Sequence, residues 1–124
     1  MNNLEDVKKD SFSTQKQIDL ALIVWSLKKY SNKLINENSL EEKSRPLKSN
    51  LAKLEQFLNS LNISIIDYTD QKYNEGMNLD VIDTIKTDTE FDKIKETIEP
   101  SIVINGVLVK RARVIKEICR GENE

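Results

Sequence analysis

Apolar residues recur at helical spacing up to Asn62 and at strand spacing after it. In the first part, Ile18, Leu20, Ala21, Leu22, Ile23, Val24, Trp25, Leu27, Tyr30 and Leu34 predict a helix that begins after Thr14. Thr14 and Gln17 stand at capping-box spacing there. Ile18, Leu22 and Trp25 share one stripe, and Leu20, Val24, Leu27 and Leu34 an adjacent one, a face wider than a single partner helix covers. A polar connector over 36–45 follows, with Ser39 and Glu42 again at capping-box spacing. Pro46 fits the first turn of a second helix capped by Ser44 or Arg45, where a missing N–H costs nothing. One helix from Ser39, kinked at Pro46, is the alternative. Leu47, Leu51, Leu54, Leu58 and Leu61 then follow at heptad spacing, with Phe57 beside them. Such helices pair antiparallel within a chain, or as a four-helix bundle of two chains. The width of the first helix favours the bundle, and assigns dimerisation to Ile18, Leu22, Trp25, Leu47, Leu51, Leu54, Leu58 and Leu61.

Beyond Asn62, Ile63, Ile65, Ile66 and Tyr68 form a β run, and 69–72 turns. Met77, Leu79 and Val81 alternate with polar residues, as a half-buried antiparallel strand does. The stretch 83–92 is polar and reads as a loop, and Ile94, Glu96 and Ile98 lead into a hairpin. That hairpin is the sharpest local signal: two β-branched runs flank Asn105-Gly106, a pair suited to the positive φ of a type I′ turn. Ile102, Val103 and Ile104 are expected to pair with Val107, Leu108 and Val109. Val107 and Val109 differ in parity from Ala112 and Val114, so the apolar face changes phase near Lys110-Arg111, which a β-bulge reconciles. Lys110, Arg111 and Arg113 sit at that irregularity, and a solvated edge protected by cations is their plainest reading. The expected fold class is α+β: an N-terminal helical pair forming a dimeric bundle, then a small C-terminal antiparallel β-domain. The expected divisions are a flexible start over 1–13, helices over 14–62, the β-domain over 63–118 and a flexible tail over 119–124.

Composition narrows the function. The chain has 124 residues, with 32% charged and 38% hydrophobic, so its core is modest. A net charge of -2 and a pI near 5.3 argue against a nucleic-acid or membrane-surface binder, and three clustered cations without an aromatic platform make a small footprint. There is no histidine, which removes the commonest general base and metal ligand, and the one cysteine, Cys119, permits no intrachain disulfide. No enzyme, metal site or cofactor is therefore expected. The start lacks an apolar h-region, and the run Leu20–Trp25 is too short to span a bilayer, so a cytoplasmic location is the expectation.

Residues Ile98 to Val114, with Asn105-Gly106 at their centre, resemble the closing motif of the GrpE family, whose pattern is an aliphatic strand, Gly-Tyr, another aliphatic, Asn-Gly-Arg, two aliphatics and Arg-Pro-Ala-Met-Val. The stretch Ile65 to Met77 is similar to the start of the same domain, with Tyr73 at the family's Phe and Asn74 at its Asp. The chain departs from the motif at Ser101 (family Gly), Val107 (Arg), Lys110 (Arg) and Arg111 (Pro). The family's His is missing, and so is the long N-terminal stalk helix. The resemblance implies a nucleotide-exchange factor: a homodimer that binds a DnaK-type ATPase through its β-domain and promotes ADP release. It assigns the chaperone contact to Ile104, Asn105, Gly106, Val107, Lys110, Arg111 and Arg113. Charge reversal at Lys110 or Arg113 is expected to leave the fold intact. A dimeric scaffold or adaptor that binds without exchange is the alternative, supported by Val107 in the place of the family's Arg.

Overall fold

The structure, a computed structural model, describes residues 3–120, with side chains from residue 14 onward. The architecture is α+β, two helices followed by six strands in two three-stranded sheets. The chain divides into two compact units, Met1–Ser64 and Ile65–Glu124.

Helix α1 spans Asn3–Asn38, beginning well before the start that a Thr14 cap implies. Residues 3–13 contain no Gly or Pro and several good helix formers, so nothing breaks the helix and Thr14 lies inside it. The flexible start expected over 1–13 is thus helical from residue 3, and residues 1–2 lie outside the described residues. Ser39 does not start a helix; it ends α1 at φ 52°, with the Leu40 amide donating to the Ile35 carbonyl at 3.0 Å. Helix α2 spans Arg45–Ser60 with Pro46 in its first turn, so the helices are separate. Ser44 makes no capping bond to α2; its hydroxyl donates to the Glu41 carbonyl at 2.7 Å. Asn62, at φ 60°, closes α2 where the hydrophobic period changes.

Two stripes make the seam between the helices. Ala21, Val24, Lys28 and Ile35 follow one another at helical spacing on α1, and three of them are buried. Leu51, Glu55 and Leu58 do the same on α2, where both leucines are buried. Lys28 Nζ meets Glu55 Oε1 at 3.1 Å across the pair.

The strands are β1 (Ile63–Ile66), β2 (Leu79–Thr87), β3 (Lys93–Glu99), β4 (Ser101–Ile104), β5 (Val107–Lys110) and β6 (Ala112–Cys119). One sheet has the order β1-β4-β5, the other β2-β6-β3. Two expectations are corrected. Strand β2 runs to Thr87, so only 88–92 connects it to β3. Its polar second half forms a strand because the backbone pairs with β6, although most of its side chains face solvent on both sides. The pairing of β2 with β6 is also parallel, not antiparallel. Strand β6 lies between β2 and β3 and runs antiparallel to β3, so the β-region is mixed. The tail expected over 119–124 begins inside β6, and the Arg120 amide donates to the Thr87 carbonyl at 2.8 Å; residues 121–124 lie outside the described residues.

Strands β3 to β6 make one long antiparallel ribbon. Ile104 faces Val107 at the turn and Ile102 faces Lys110; three steps further along each strand, Glu99 faces Arg113. The register is thus continuous while the ribbon passes from one sheet to the other, bending at Pro100 on one strand and Arg111 on the other. Val109 is the extra residue between Leu108 and Lys110, the bulge that the change of phase requires. Asn105 at φ 52° and Gly106 at φ 79° form the turn. Around β6, Leu79, Ile94, Ala112 and Val114 form a buried cluster, with Tyr68, Tyr73 and Met77 packed against it.

The bend leaves one backbone amide to be matched from outside the ladder. Pro100 has no N–H to lose, and the buried Ser101 hydroxyl accepts the Ala112 amide at 2.9 Å. Ser101→Ala is therefore expected to lower stability by about 1–3 kcal/mol, the cost of a buried donor left without a partner. The measurement is a urea midpoint that falls at unchanged slope; an unshifted midpoint would show that Ser101 does not hold the bend.

Candidate functional site

The ribbon turns at Asn105-Gly106, and the next residue, Val107, is 61% exposed. Asn105 and Gly106 are exposed as well, so these three residues form the accessible tip. Ile104 lies beside them in sequence but is buried, so it supports the tip from below and offers no contact surface. The apolar wedge expected over Ile104–Val109 narrows accordingly: Val107 is the exposed part, while Leu108 and Val109 are half-buried.

The three cations at the bend are engaged within the protein. Glu99 Oε1 lies 3.4 Å from Lys110 Nζ and 3.2 Å from Arg113 Nη1. Arg111 Nε donates to Asp80 Oδ1 at 2.9 Å, its Nη2 donates to the Leu79 carbonyl at 2.8 Å, and its Nη1 donates to Asn78 Oδ1. Partial burial works against the charged form of Glu99. The Arg113 hydrogen bond and the charge and hydrogen bond of Lys110 outweigh it, and hold the carboxyl below its ordinary value. Reversing Lys110 or Arg113 would set a second carboxylate against Glu99. Neither change is the fold-neutral probe that the sequence implied.

Two partners were missed in the sequence. Glu99 was within reach of inference: once the Asn-Gly turn and one bulge are set, the register places Arg113 opposite it. Asp80 left no local signal, because it approaches Arg111 only through the parallel β2–β6 pairing. The segment Tyr73–Met77 is structural. Tyr73 and Met77 pack on the core cluster, Lys116 Nζ lies 4.1 Å from the Tyr73 ring centre, and the Gly76 amide donates to Asn74 Oδ1 at 3.0 Å.

On the helices, the residues assigned to dimerisation separate into groups. Leu51 and Leu58 are buried within the chain, whereas Leu47, Leu54 and Leu61 are exposed. Ile18, Leu22 and Trp25 are half-buried, and Lys29 Nζ lies 4.9 Å from the Trp25 ring centre. The apolar stripe left open on α1 is a different one: Leu20, Ile23, Leu27, Tyr30 and Leu34, at heptad spacing and all exposed. Among the described residues, no helix is long and apolar enough to cross a membrane.

The Glu99 cluster gives a pH dependence. A carboxyl held below its ordinary value stabilises the fold fully above that value and loses the contribution as pH falls through the lowered one. Stability is therefore expected to decline as pH drops below 4.5, the ordinary value for Glu99. Because Glu99 is 34% exposed, water screens the pairs and the loss is about 1 kcal/mol or less. Urea midpoints across the acid range should show a shallower decline for Glu99→Gln than for the unsubstituted chain; identical profiles would contradict the assignment.

No protein-family model matches the chain and no curated protein matches it, so function has to be read from the hairpin's own geometry and from its resemblance to the GrpE closing motif.

Proposed function

We propose that this protein is a GrpE-like co-chaperone, a homodimer acting in the cytoplasm that promotes ADP release from a DnaK-type ATPase. The observation that carries the reading is the exposed tip Asn105, Gly106 and Val107 on a ribbon braced by two sheets. The mechanism is linkage rather than bond chemistry. An ATPase that grips ADP between two lobes opens when a partner binds the open arrangement more tightly than the closed one. A hundredfold acceleration requires about 2.7 kcal/mol of such preference. One or two well-packed contacts supply that order of energy. In this chain the apolar tip supplies the contact, and Lys110, Arg111 and Arg113 act mainly on the fold.

Homodimerisation belongs to the same proposal. Its support is the open stripe from Leu20 to Leu34 on α1, together with exposed Leu47, Leu54, Phe57 and Leu61 on α2. A second reading, a dimeric adaptor without exchange activity, is favoured by the internal neutralisation of the cations.

The exchange test is the release rate of a fluorescent ADP analogue from the DnaK-type ATPase of the same cell, with and without this protein. Faster release is expected, with Val107→Asp reducing the acceleration about tenfold or more, a loss of ~1.4 kcal/mol. Val107 is 61% exposed, so that change is expected to leave the fold intact, which an unshifted urea midpoint would check. Demonstrated binding with an unchanged release rate would leave only the adaptor reading. The dimer test is light scattering at micromolar concentration. A dimeric mass is expected, converted to monomer by Leu27→Lys or Leu54→Lys, each of which puts an unpaired charge into the joint at a cost of ~3 kcal/mol or more. A monomeric mass for the unsubstituted chain would defeat this part.

A further inference from the structure

The bend of the ribbon is fastened from three directions. Pro100 fixes φ on one strand, and the Ser101 hydroxyl ties the two strands through the Ala112 amide. Arg111 reaches the head of β2, taking Asp80 Oδ1, the Leu79 carbonyl and Asn78 Oδ1 with one guanidinium, across 31–33 residues of sequence. Strand β2 belongs to the sheet β2-β6-β3, while Arg111 stands where the chain leaves the sheet β1-β4-β5. On its outer side β5 is a bulged edge strand, with no strand paired to it among the described residues. The hairpin therefore has a third strand, β1, on the β4 edge only, and a narrow sheet twists more readily on an edge that nothing braces.

We infer that Arg111 is a positioning residue: it sets the angle at which the tip hairpin leaves the sheet β2-β6-β3, and it acts on a partner through that angle without touching the partner. The planar fork is essential to this role, since an ammonium carries the same charge but cannot hold three acceptors in one plane. Half-exposed ion pairs contribute little to global stability, so the effect belongs to orientation more than to unfolding. That the angle governs a partner rests on the co-chaperone reading; that Arg111 sets the angle does not.

The experiment uses two exposed positions on opposite sides of the bend. The native thiol of Cys119, at the end of β6, and Val107→Cys, at the tip, are both spin-labelled, and their distance distribution is measured by pulsed electron resonance. A single narrow distribution is expected for the otherwise native chain. Arg111→Lys and Arg111→Ala should each broaden or shift it, while thermal unfolding moves by no more than a surface pair would. Asn78→Ala combined with Asp80→Asn should reproduce the broadening with Arg111 in place. Unchanged distributions in both Arg111 variants would overturn the inference. In the ADP-release assay, Arg111→Lys and the Asn78/Asp80 double variant should reduce the acceleration similarly, with no further loss when combined. A loss on Arg111→Lys with the double variant silent would assign Arg111 to direct contact and overturn the positioning role. The distance measurement needs no ATPase, so it decides the clamp even if the chain proves to have no exchange activity.

Discussion

The β-region depends on one constraint: two strands keep a single register through a bend. From Lys93 opposite Glu117 to Ile104 opposite Val107, the same two strands stay paired, yet the two halves of the ribbon lie in different sheets. An isolated hairpin is marginal in water, and each half gains a third strand, β1 beside β4 and β2 beside β6. The bend therefore has to be made without abandoning polar backbone groups. Pro100 removes one donor, Ser101 matches another, and the bulge at Val109 restores the alternation of side chains so that Ala112 and Val114 reach the core. At the far end, Glu117 accepts the Thr87 hydroxyl at 2.6 Å and lies 3.8 Å from Lys93 Nζ, closing the ribbon with charge where hydrophobic packing runs out.

This geometry also decides what the cations do. A basic cluster at a sheet irregularity looks like a binding patch when only its sequence is visible. Within the ribbon, cross-strand register brings Glu99 to Arg113 and Lys110, and the bend brings Asp80 to Arg111. Charge at the bend is spent on holding its shape. On the co-chaperone reading, recognition at this end of the molecule would depend on what stays accessible, an Asn-Gly turn and a valine, and on the angle at which they are presented. Such a surface gains affinity from shape and apolar contact, with a weaker dependence on salt than an unpaired basic patch would show.

The legible parts of the sequence were those where one residue type has one physical use. Asn105-Gly106 marked a turn because positive φ is costly elsewhere, Pro46 marked the first turn of α2, and Asn62 marked the change of period that the left-handed cap enforces. The less legible parts were held by partners distant in sequence. The second half of β2 has no apolar alternation, because its backbone is paired while most of its side chains face water. Residues 3–13 carry too few apolar positions to show a helical period, yet contain nothing that stops a helix extending through them. Asp80 lies far from Arg111 along the chain, and only the parallel pairing of β2 with β6 joins them.

The helical unit poses the same problem of allocation. Apolar residues occupy roughly three-quarters of the circumference of α1 between Ile18 and Ile35 at ~100° per residue, far more than α2 covers. The intrachain seam uses Ala21, Val24 and Ile35 on α1 with Leu51 and Leu58 on α2. The leucine heptad of α2 is therefore divided: two of its five members are consumed inside the chain, while Leu47, Leu54 and Leu61 remain exposed. If two copies associate, they do so by the outer stripe Leu20–Leu34 and those remaining leucines, with the inner seam already formed. Folding of the helical pair and association of two copies are then separable steps. Substitutions at Leu51 or Leu58 act on the first, and substitutions at Leu27 or Leu54 act on the second.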